Sequence, residues 1–202
     1  PRYVTAGVWR GVDLQAWDAH RLADLAVRTD ALDAQQAKLA VLLQVEQGAV
    51  SGSAVVHVEV RDPQGRSVAQ VQRTVPLMPG QNTVELPVEL TKPRRWWPVG
   101  HGAQDRYTVQ ARLDDGSTAE LAREQRIGLR TVELRREQDG KGGQGFAFVI
   151  NGVPIFAKGA NVIPFDAFPA RVDAARLRQV LTAARDANMN MLRNWGGGYY
   201  ED

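Results

Sequence analysis

Between residues 39 and 113 the chain places apolar side chains on every second position, run after run. Leu39, Val41, Leu43 and Val45 share one face. Val56, Val58 and Val60 follow, then Val84, Leu86, Val88 and Leu90, then Tyr107, Val109, Ala111 and Leu113. Successive side chains of a strand point to opposite faces, so a period of two suits a strand with one buried face and cannot serve a helix. Turn formers separate the runs: Asp62-Pro63-Gln64-Gly65, Pro79-Gly80 with Asn82, and Asp114-Asp115-Gly116. About seven strands fit between residues 20 and 130 with no long helical pattern among them, which predicts an antiparallel β-sandwich. With 44% hydrophobic and 24% charged residues over 202 positions, a sizeable core is expected. Pro87 cannot donate to a ladder, so its strand belongs at an edge or carries a bulge. The stretch ALDAQQAK (31–38) is read as a loop in preference to one helical turn.

The pattern changes after Gly140. KGGQG (141–145) reads as a flexible joint. FAFVINGVPIFAKGAN (146–161) holds two apolar runs around Asn151-Gly152, the strongest short hairpin signal. Leu177, Val180, Leu181 and Ala184 then recur at helical spacing with Asp173 as the start, and MNMLRNW (189–195) follows as a strand. Strand, helix, strand implies a parallel pair. Two strands alone do not complete a parallel sheet, so this second domain is expected to continue. A first residue of Pro1 fits a chain that begins within a longer protein or has been processed.

Several functions are disfavoured. The net charge is +2, and the basic residues are scattered rather than gathered into the patch nucleic acid requires. With no cysteine there is neither a disulfide nor a thiolate metal site. No apolar run approaches the ~20 residues of a membrane span. His20 and His101 lack partners at metal spacing, and His57 alternates with valines as a solvent-facing sheet residue, so no metal is expected. VGHGAQ (99–104) lacks the lysine and helix of a phosphate loop. RRWWPVGHGAQDRY (94–107) is basic and aromatic. It reads either as a carbohydrate or nucleic-acid contact or, preferably, as Trp96, Trp97 and Pro98 packing a strand end.

Chemistry, if any, belongs at the C-terminal ends of the parallel strands. There AKGANVIPFD offers Asn161 and Asp166, and RNWGGGYYED offers Arg193, Trp195 and three glycines. Arg193 and Trp195 lie two residues apart and share a face, with Met191 below them. An indole stacks on a pyranose, a guanidinium holds a neighbouring carboxylate ionised, and glycines let a ligand approach the backbone. The same residues also fit a plain structural role, with Trp195 as core, Arg193 in an ion pair and the glycines as loop.

GVWRGVDL, WWPVGHGAQDRYTV, FVINGVPIFAKGANVIP and NMNMLRNWGGGYYED occur in the order seen in β-mannosidases of glycoside hydrolase family 2, which the chain resembles over nearly its whole length. The resemblance implies a mainly-β fold: an immunoglobulin-like antiparallel sandwich followed by the first β-α-β portion of an incomplete TIM barrel. Residues 1–20 would be the tail of a sugar-binding sandwich, 21–130 the immunoglobulin-like sandwich, and 131–202 a linker, a hairpin and two barrel strands. It further implies part of a bacterial, retaining, exo-acting enzyme on terminal β-mannosides. No cofactor is implied, and the partners are a β-mannoside oligosaccharide or glycoside and the remaining domains of the enzyme. Retention uses two glutamates. Both are expected beyond residue 202, Glu201 matching neither, so the chain alone would not catalyse. By the same resemblance Trp195 lines the subsite of the cleaved sugar, Arg193 stands near the nucleophile, and Asn161 follows the first barrel strand. Val162, Asn194 and Tyr199 depart from the family's usual tryptophan, valine and isoleucine. The rival readings are a free-standing sandwich that binds glycan or protein, and a sister activity of the same family such as a β-galactosidase or glucosaminidase.

Overall fold

The computed structural model describes residues 7, 8, 11–17, 19–114, 121–138 and 140–197. They form two compact units, one of residues 17–155 and one of residues 1–16 with 156–202. In the first unit, β1 (His20–Leu32), β2 (Gln36–Gln47) and β5 (Gly80–Thr91) make a three-stranded sheet in the order β1-β2-β5. β3 (Gly52–Arg61), β4 (Ser67–Leu77), β6 (Tyr107–Asp114) and β7 (Leu121–Ile127) make a four-stranded sheet in the order β4-β3-β6-β7. All pairings in both sheets are antiparallel. The result is the mainly-β antiparallel sandwich that the alternation predicts, and the immunoglobulin-like one that the resemblance implies.

Every residue of the alternating runs enters one core, joined by Leu22, Ala54, Val75, Leu77 and Leu129. Burying each leucine or valine contributes roughly 1.5–3 kcal/mol. Tyr107 closes one end, its hydroxyl accepting from the Arg94 N–H at 2.9 Å. Pro87 sits on edge strand β5 opposite Ala40, with no bulge in the register. The loop expected over 31–38 is shorter than its composition suggests. β1 runs to Leu32 and β2 starts at Gln36. Asp33 makes the tight turn possible, because its Oδ1 accepts from the N–H groups of Gln35 (2.7 Å) and Gln36 (2.8 Å). Those bonds, that from Gln35 first, hold its carboxyl below the usual range. Of the expected Asp114-Asp115-Gly116 turn, Asp114 ends β6 and the other two residues lie outside the described ones.

A third sheet, in the order β10-β9-β8, follows from β8 (Val132–Arg135), β9 (Ala147–Ile150) and β10 (Val153–Ile155). Lys141–Gly145 is therefore a connection inside one sheet and not a joint between bodies. β8 pairs antiparallel with β9 across it, and the Gln138–Gln144 bridge extends the pairing. Asn151 (φ 52°) and Gly152 (φ 84°) both adopt positive φ, as a two-residue I′ hairpin turn requires. Asn151 also ties three segments together. Its Oδ1 accepts from Thr131 N–H at 3.0 Å, its own N–H donates to the Thr131 carbonyl, and its Nδ2 donates to the Trp96 carbonyl at 2.9 Å. Trp96 in turn covers Gly128, where a Cβ would stand 2.8 Å from the indole, and takes the Arg130 guanidinium over its ring at 4.5 Å. The aromatic 94–107 stretch thus packs strand ends, with Pro98 buried.

Candidate functional site

The second unit is built on a strand-helix-strand run. β11 (Gly159–Val162) leads through a 3-10 turn (Pro169–Arg171) to α1 (Ala174–Asp186) and then β12 (Met191–Asn194). Asp173 caps the helix, its Oδ1 accepting from the Arg176 N–H at 2.7 Å. The helix ends in a Schellman arrangement: Asn188 takes φ 58°, its N–H donates to the Arg185 carbonyl, and the Met189 N–H donates to the Ala184 carbonyl. That reversal delivers Asn190 beside the start of β11. Asn190 Oδ1 accepts from Lys158 N–H at 2.8 Å and its Nδ2 donates to the Phe156 carbonyl at 3.0 Å. β11 and β12 then pair in parallel, Gly159 with Met191, Ala160 with Leu192, Asn161 with Arg193 and Val162 with Asn194. The approach depends on glycine, since a Cβ at position 159 would run into the Met191 carbonyl oxygen.

This register brings the three expected site residues to one end of the pair. Arg193 Nη1 donates to Asn161 Oδ1 at 3.1 Å. Arginine has no acceptor, so the Asn161 oxygen must face it, which leaves the Asn161 amide N–H groups for another partner. Arg193 makes no ion pair among the described residues, and its remaining donors suit a carboxylate or sugar oxygens. Two residues after Arg193, the Trp195 backbone N–H donates to the Val162 carbonyl at 2.9 Å, and the residue is 48% exposed. The corner therefore offers N–H donors beside an accessible ring. Asp166, the other residue expected here, is engaged locally. Its Oδ1 accepts from Phe168 N–H at 2.8 Å and lies 4.0 Å from Arg171 Nη1. Tyr199 and Glu201 lie outside the described residues.

His57 keeps to the sandwich, partly exposed, with Nε2 3.9 Å from Asp114 Oδ2. His20 is buried at the start of β1 and His101 is exposed. No group of three or more metal-ligating side chains forms among the described residues. Residue reading missed Asn190 and Gly159. The only signal for them was their position, just before a strand and at its first residue, where a turn amide and a missing side chain decide whether two backbones can meet.

The family model for glycosyl hydrolases family 2 matches residues 20–130. The chain is 35% identical to the β-mannosidase of Bos taurus over 210 residues, covering all of this chain and 23% of that protein. It is 37% identical to β-mannosidase B of Aspergillus terreus over 204 residues, again covering all of this chain and 23% of the relative. Among solved structures, the β-D-mannosidase of Dictyoglomus thermophilum superposes with a TM-score of 0.85 at 34% identity, over 93% of this chain and 23% of that one. The chain belongs to glycoside hydrolase family 2. It spans about a quarter of the length of the relatives it matches.

Proposed function

We propose that this chain is part of a retaining exo-β-mannosidase, with residues 156–197 forming the opening strands of its TIM barrel. The observation that carries the reading is the Asn161–Arg193 pair beside Trp195 at the C-terminal end of a parallel pair, where barrels gather their chemistry. The β-mannosidase relatives support the choice of sugar. In this reading Trp195 stacks on the terminal mannose, Arg193 keeps the nucleophilic carboxylate ionised, and Asn161 aims Arg193 and offers its amide N–H to a hydroxyl.

Retaining cleavage needs two carboxylates about 5–5.5 Å apart. Among the described residues of 156–197, Asp173 caps α1, Asp186 pairs with Arg185 at 3.0 Å and Asp166 orders its own turn, each engaged locally. In this reading both glutamates lie outside residues 1–202, so the chain by itself is inactive and the full-length polypeptide hydrolyses aryl β-mannosides. Assaying both with aryl β-mannoside, β-galactoside and β-glucosaminide tests the proposal. Turnover by residues 1–202 alone, abolished by Glu201→Gln, would overturn the division of labour. A preference of the full-length protein for galactoside or glucosaminide would favour the sister activities.

A further inference from the structure

We infer that Gly197 is a positioning residue for Trp195, and that its missing side chain sets how the indole meets the sugar. The inference rests on the reading of Trp195 as a sugar platform. A Cβ built on Gly197 would stand 2.5 Å from Trp195 Cζ3, 2.6 Å from Cη2 and 3.0 Å from Cε3. The benzene edge of the indole thus lies directly against the glycine backbone. These separations are shorter than real Cβ contacts tolerate, and the obstacle is a stiff ring and not the end of a flexible side chain. Backbone strain is not the reason for glycine here, because Gly197 lies outside the left-handed region.

A methyl group at 197 must move the indole by about 1 Å to restore ordinary contact, and a misplacement of that size costs up to about 100-fold in catalysis. The loss should appear in kcat as well as in KM, because the ring both binds and orients the sugar whose bond is cleaved.

The test is kinetics and melting temperature in the full-length polypeptide with an aryl β-mannoside. Gly197→Ala is expected to lower kcat/KM by about 10- to 100-fold. In a Trp195→Ala background, Gly197→Ala is expected to cost nothing further. If Gly197→Ala instead lowers the melting temperature, Trp195→Phe should restore it, since a phenyl ring is too short to reach the new methyl. Parental kinetics for Gly197→Ala, an undiminished effect without Trp195, or failure of the phenylalanine rescue would each overturn the inference. A Trp195→Ala enzyme with parental kinetics would instead overturn the sugar-platform reading on which it rests.

Discussion

Arg193 donates to Asn161 directly across the β11–β12 register, over a sequence separation of 32 residues. The bond crosses a parallel pair whose closure needs Gly159, the α1 reversal and the Asn190 clamp together. On the proposed role, losing either partner lets the site geometry drift, and a misplacement of about 1 Å costs up to about 100-fold. In the full-length polypeptide, Asn161→Ala and Arg193→Ala should therefore each lower kcat by about tenfold or more, with melting temperatures near the parent, because the bond is exposed. Arg193→Lys should not restore the rate, because an ammonium cannot reproduce the planar fork. Steady-state kinetics alongside calorimetry separates this from a structural role, which would lower melting temperature and leave kcat intact.

Asn151 should matter to stability out of proportion to its size. Its side chain joins the β8–β9 end to Trp96, and its backbone sits at φ 52°. Asn151→Ala loses two side-chain hydrogen bonds and strains an alanine at positive φ, a cost of about 2–4 kcal/mol. Asn151→Gly removes the bonds and relieves the strain, so it should cost less. Urea unfolding of both variants gives the order, and a milder effect for alanine would refute it.

Asp62 should make the sandwich acid-sensitive. Burial pushes its carboxyl up, but hydrogen bonds from the Arg66 side chain and from the Arg66 and Gln64 N–H groups outweigh that and hold it below the usual range. A carboxyl lowered on folding contributes stability above its unfolded value, about 3.9, and loses it as pH falls through the folded value. Melting temperature should therefore drop below about pH 4. Asp62→Asn should be less stable at pH 7 and show a shallower acid limb, measurable by melting curves from pH 2 to 7.

Stability should reside in residues 17–155. Leu43 is fully buried in the sandwich, so Leu43→Ala should cost about 2–5 kcal/mol. Leu181 is 54% exposed on a helix with no buried residue, so Leu181→Ala in the isolated chain should cost well under about 1 kcal/mol. Trypsin should cut first at the arginines of 171–193, and early cleavage within β2 or β6 would contradict this.

The sandwich was legible because its signal is local. A strand with one buried face writes its alternation into its own sequence, and every residue read that way is in the core. The helix and its Asp173 cap were legible for the same reason. What stayed hidden depends on partners distant in sequence. Nothing in KGGQG announces that β8 and β9 pair across it, and no composition rule reveals that Asp33 shortens an eight-residue loop to a tight turn. At the candidate site, Arg193, Trp195 and the glycines after it were picked out by residue type, and Asn161 by its place at a strand end. Asn190, Gly159 and the contact of Gly197 with the indole were not legible, because they depend on which backbone or ring comes to stand beside them.

The outer strands of both sandwich sheets have a bearing on solubility. β5 carries Pro87, which breaks its outward row of donors, and β1 slips register after Leu22 and again after Thr29. In the other sheet β4 contains Pro76, and β7 carries Arg123, Glu124 and Arg126 in succession around Gln125. Unprotected edges invite strands from other molecules, and prolines, bulges and clustered charge are the ordinary ways of refusing them. A second copy arriving side-on finds at each of these four borders a missing hydrogen, a kink or a charge to desolvate. The sandwich is therefore guarded against edge-to-edge polymerisation.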